Sequence, residues 1–109
     1  WTPTILSSIG SITTIGAVDC SYSQRGKVVF VRGSISITTN GTGAGALTVS
    51  LPVLAAPFGG SASGREKAIT GDLIGGQIEG SQIFLVKYNN TYPAQDGAVL
   101  VFSGTYKAA

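Results

Sequence analysis

The stretch Gly26–Leu51, GKVVFVRGSISITTNGTGAGALTVSL, constrains the fold more than any other part of the chain. Val29, Val31, Ile35 and Ile37 fall on one parity, and Arg32, Ser34, Ser36 and Thr38 on the other. Successive side chains of a strand face opposite sides, so this alternation predicts a half-buried antiparallel strand. Leu47, Val49 and Leu51 repeat the pattern, with Thr48 and Ser50 on the far face. The intervening Thr39-Asn40-Gly41-Thr42-Gly43-Ala44-Gly45 is rich in residues that tolerate positive φ. It predicts a hairpin joining the two strands.

The remaining segments read the same way. Helix formers do not cluster at helical spacing, and glycine and β-branched residues recur throughout. Strands are expected at 11–23, 27–39, 46–51, 68–73, 77–88 and 98–106. Turns are expected at 24–26, 40–45, 57–64, 75–76 and 89–97, with 52–64 as a flexible crossover opened by Pro52. Short strands between Gly- and Pro-rich turns predict one all-β domain over residues 1–109, an antiparallel β-sandwich. In 82–88 and 98–106 both faces of the strand are apolar, which predicts either central strands under long loops or outer faces covered by another subunit.

Composition narrows the function classes. Charged residues make up 11% of the 109-residue chain and hydrophobic residues 43%, so Ser, Thr, Gly and Asn carry the polarity. The net charge is +2, and the seven cations are scattered along the sequence without a basic run. Nucleic-acid binding, which needs a concentrated positive face, is not expected. No apolar run approaches the roughly 20 residues of a membrane span, so membrane insertion is not expected. The absence of methionine and the start at Trp1 predict a fragment of a longer protein.

The chain has no histidine and a single cysteine, Cys20. That removes Ser-His-Asp and Cys-His catalysis, an internal disulfide and a thiolate metal site. Cys20 reads as a small buried hydrophobe. Five acids, Asp19, Glu66, Asp72, Glu79 and Asp96, supply carboxylates, but no pair stands out as a glycosidase pair, and exposed acids on strand edges are the ordinary case. No catalytic residue, metal site or cofactor is predicted. Gly41-Thr42-Gly43-Ala44-Gly45 lacks the Lys-Ser/Thr of a phosphate loop.

The best binding candidate is 87–96, KYNNTYPAQD. Tyr88 and Tyr92 can pack on the C–H face of a sugar, while Asn89, Asn90, Gln95 and Asp96 take its hydroxyls. The same residues are also turn formers, and Tyr88 can belong to the core. Trp1 is a weaker candidate, since an N-terminal Trp can simply pack against its parent protein.

An ordered set of segments resembles the C-terminal domain of phage and prophage tail fibres and tailspikes. The segments are Trp1-Thr2-Pro3-Thr4-Ile5, Gly10-Ser11-Ile12-Thr13-Thr14, Tyr22-Ser23-Gln24-Arg25-Gly26-Lys27-Val28-Val29, Ile35-Ser36-Ile37-Thr38-Thr39-Asn40-Gly41-Thr42-Gly43, Leu47-Thr48-Val49-Ser50-Leu51-Pro52 and Ser103-Gly104-Thr105-Tyr106. The resemblance spans nearly the whole chain. It implies a jelly-roll-like sandwich that trimerises with itself, caps the fibre on the virion tail and binds bacterial surface polysaccharide without catalysis. It transfers no ligand residue. The alternative from a different class is a monomeric carbohydrate-binding module or small glycan-active enzyme.

Overall fold

Eight strands run along the chain: β1 (Ile5–Ile9), β2 (Thr14–Arg25), β3 (Val28–Thr39), β4 (Ala44–Ser50), β5 (Ala55–Glu66), β6 (Leu73–Glu79), β7 (Gln82–Lys87) and β8 (Val99–Ala108). The structure, a computed structural model, describes all residues Trp1–Ala109. All strand pairings are antiparallel, in the order β1-β4-β7-β6-β5-β8-β3-β2, and the sheet curls into a half-barrel.

The core fills the concave side. Val29, Val31, Ile35 and Ile37 of β3 are buried, as their alternation predicts, and so are Leu47 and Val49 of β4. Ile74 and Ile78, Ile83 and Leu85, and Leu100, Phe102 and Tyr106 supply the inward parity of β6, β7 and β8. Small residues sit where neighbouring strands pack closely. Gly104 of β8 pairs with Ala62 of β5, which pairs with Gly76 of β6. A Cβ on Gly60, Gly64 or Gly76 would strike a carbonyl oxygen of the neighbouring strand, that of Thr105, Val101 or Phe84 respectively. At Gly33 of β3 the obstacle is a side chain: a Cβ there would lie 2.6 Å from the Phe102 ring and 2.7 Å from Cys20 Sγ. Cys20 is buried beside it, and burial pushes its thiol pKa up, as fits an inert core residue.

Several expectations need correction. β3 and β4 are consecutive strands but not a hairpin: β3 pairs with β2 and β8, and β4 with β1 and β7. Alternation records which face is buried and says nothing about which neighbour supplies the ladder. The turn between them is tied sideways instead. Thr42 N–H donates to Ser11 O (3.1 Å), and Thr13 N–H donates to Thr39 O (3.1 Å). The expected crossover at 52–64 is largely β5, whose glycines mark close strand approach and not flexibility. The expected strand at 68–73 is mostly a turn wrapped on the Glu66 carboxylate. Gly75 and Gly76 lie inside β6, and the turn falls at Gly80-Ser81, where Gly80 takes φ 61°.

Of the two strands read as apolar on both faces, the inward parity is fully buried and the outward one is not. Phe84, Val86, Val99 and Val101 are half-buried, and Tyr88 is 75% exposed. On the outer face of β1, β4, β7 and β6, Leu6 and Leu73 are also exposed, among the polar residues Ser50, Gln77, Glu79 and Gln82.

Candidate functional site

The loop that follows β7 divides into two parts. Tyr88, Asn89 and Asn90 project at its tip, all exposed. Asn90 N–H donates to Lys87 O (2.9 Å) and Lys87 N–H to Thr91 O (2.8 Å), closing a tight turn. Asn90 takes φ 63°, a conformation that asparagine tolerates. Lys87 forms a salt bridge with Asp72 (3.3 Å).

Tyr92 and Asp96 point elsewhere. The Tyr92 hydroxyl donates to Asn40 Oδ1 (2.7 Å), and its ring packs on the core. Burial pushes the Tyr92 phenol above its ordinary pKa, so it stays a donor. Asp96 Oδ1 accepts from Asn40 N–H (2.7 Å), and Asn40 Nδ2 donates to Gly43 O (3.0 Å). Gln95 is exposed, with its carbonyl accepting from Ala98 N–H (3.0 Å). Sequence reasoning grouped six residues as one sugar site. The structure keeps Tyr88, Asn89 and Asn90 together and commits Tyr92 and Asp96 to anchoring the Asn40 turn. Trp1, half-buried, is likewise engaged within the fold: its Nε1 donates to Ser50 O (2.9 Å), and its ring meets Tyr22 edge-on at 6.0 Å.

The largest concavity lies on the outer face of β2, β3, β8 and β5, an open trough of about 690 Å³. Two ladder rows build it. Ser21 pairs with Arg32, Arg32 with Ser103, and Ser103 with Ser63. Ser23 pairs with Phe30, Phe30 with Thr105, and Thr105 with Ser61. Partners in an antiparallel pair share a face, so six hydroxyls, one guanidinium and one phenyl ring converge there. Phe30 is 49% exposed although it is paired on both sides within β3.

Sequence reasoning missed this trough, although a signal was present. Ser21-Tyr22-Ser23, Ser61-Ala62-Ser63 and Ser103-Gly104-Thr105 each repeat hydroxyl, spacer, hydroxyl at the strand period. Only lateral pairing shows that the three triplets stand side by side.

The carboxylates are dispersed. Asp72 pairs with Lys87, Asp96 holds the Asn40 turn, Glu79 accepts from Gln77 Nε2 (2.8 Å), and Glu66 is buried. None of them lines the trough, and no three Cys, Asp or Glu side chains gather in a cluster.

Against protein-family models, curated proteins and solved structures, the chain shows no match.

Proposed function

We propose that the chain is the distal domain of a phage tail fibre or tailspike on the virion tail. There it trimerises, caps the fibre and recognises a bacterial surface polysaccharide without catalysing its cleavage. The observation that carries this reading is the division of the outer face. The β1-β4-β7-β6 side carries Leu6, Leu73 and Tyr88 exposed and Phe84 and Val86 half-buried, among the polar side chains of Ser50, Gln77, Glu79 and Gln82. The β2-β3-β8-β5 side is a hydroxyl-lined trough. The first suits burial against other copies of the chain. The second suits a ligand that offers hydroxyl rims and C–H faces, with Phe30 as the ring that packs on a sugar face.

The nested pairing of β3 with β8 and of β4 with β7 around the β5–β6 ribbon supports a jelly-roll reading, with the two halves of the curled sheet acting as the layers of a sandwich. The resemblance of its ordered segments to tail-fibre ends points to the same class.

Light scattering at micromolar concentration tests the assembly. The expected mass is three times that of one chain. A monomer that still binds polysaccharide removes the fibre-cap reading and leaves a carbohydrate-binding module. Release of new reducing ends from a bound polysaccharide overturns the non-enzymatic part.

A further inference from the structure

We infer that the trough takes a carboxylate-bearing polysaccharide, with Arg32 as the residue that reads the acid. This inference rests on the glycan-recognition reading and names the ligand class of the same surface.

The ladder register supplies the argument. One row beyond Ser23 and Phe30, Arg25 pairs with Val28 and Val28 with Lys107. One row beyond Ser63 and Ser103, Arg65 pairs with Val101. Arg25, Arg32, Arg65 and Lys107 therefore share the outer face of four adjacent strands, which is four of the seven cations of the chain. The one acid on that face of β2 and β3 is Asp19, opposite Ser34, and it forms no salt bridge with Arg32. The only salt bridge of the molecule, between Lys87 and Asp72, lies elsewhere. Arg32 is exposed and makes no side-chain hydrogen bond, so its planar fork is free to grip a carboxylate in bidentate fashion.

The floor beneath it is neutral. Serine and threonine hydroxyls both donate and accept, as sugar hydroxyls do. Four strands at roughly 4.8 Å spacing give a span of about 14 Å, the scale of an oligosaccharide and not of a single sugar. A single-stranded nucleic acid would also meet the charge, but base recognition relies on successive aromatic platforms. Phe30 is the one outward aromatic ring of these ladder rows; Tyr22 also borders the trough, but it has the opposite parity and its ring meets Trp1 edge-on.

Isothermal titration of the whole chain with oligogalacturonate, neutral dextran and single-stranded DNA tests the inference. Oligogalacturonate is expected to bind, less tightly as salt rises. Arg32→Gln is expected to weaken that binding by about tenfold or more while leaving the thermal midpoint unchanged. Lys67→Gln, in the turn outside the trough, removes the same charge and is expected to leave binding intact. Equal losses in the two variants would show diffuse attraction and overturn the inference. Dextran binding that ignores Arg32→Gln overturns the acidic class and leaves glycan recognition standing. Failure of both polysaccharides to bind removes both readings, and tighter binding of DNA replaces them with a nucleic-acid surface.

Discussion

A carboxylate removed from solvent needs donors on nearly every lone pair, and Glu66 finds them in the backbone. Its side chain is 0% exposed. Oε1 accepts from Ile69 N–H and Thr70 N–H (both 2.7 Å), and Oε2 from Ala68 N–H (3.0 Å) and Val99 N–H (2.8 Å). Burial alone would raise its pKa, but the bonds from Val99, Thr70, Ile69 and Ala68 together outweigh that and lower it from 4.5 to about 2. A depressed folded pKa stabilises the fold above the unfolded value, and this contribution fades as pH falls from about 4.5 to about 2. Its full size is about 3 kcal/mol. Glu66→Gln is expected to destabilise the chain by about 2–3 kcal/mol at pH 7, since an amide turns donors toward donors. Denaturant unfolding is expected to show that gap narrowing at pH 3. A pH-independent gap would mean that Glu66 acts through packing. In sequence this residue was one acid among five, because nothing local distinguishes a buried carboxylate whose partners lie in a turn and at the start of a distant strand.

Among the elements, strand parity was legible and strand partnership was not. Every inward residue predicted in β3 is buried, yet the predicted partner of β3 was wrong, because glycine-rich turns can either reverse a ladder or pass between its two ends. Here the Asn40 turn passes between them, and Tyr92 and Asp96 secure it from the loop before β8. The sequence groups both with the sugar-binding residues, since Tyr, Asn and Asp serve ligand contact and loop anchoring alike. Tyr92→Phe removes one hydrogen bond and is expected to cost about 1 kcal/mol of stability. Tyr88→Ala, on an exposed tip, is expected to cost under about 0.5 kcal/mol. Urea midpoints distinguish the two, and equal losses would refute the division of this loop.

At the scale of the whole molecule, the hydroxyl-lined trough and four of the seven cations share one half of the outer surface, and the other half exposes Leu6 and Leu73 among polar side chains. Leu6 is 54% exposed and Leu73 66% exposed. Replacing both with Gln is expected to leave the stability of the single chain within about 0.5 kcal/mol per site. If this face joins the subunits, the same change converts the proposed trimer to monomer in light scattering. A trimer that persists would place the contact on another face.

The sequence by itself determined an all-β chain, the inward residues of its clearest strands and the absence of histidine chemistry. These follow from period-2 alternation and from residue types, both of which are local. Tertiary structure alone decided that cations scattered from Arg25 to Lys107 stand on one face, that three serine-rich triplets form one trough, and that Glu66 is buried. Each of those depends on which strand lies beside which, and lateral pairing joins residues far apart in the sequence.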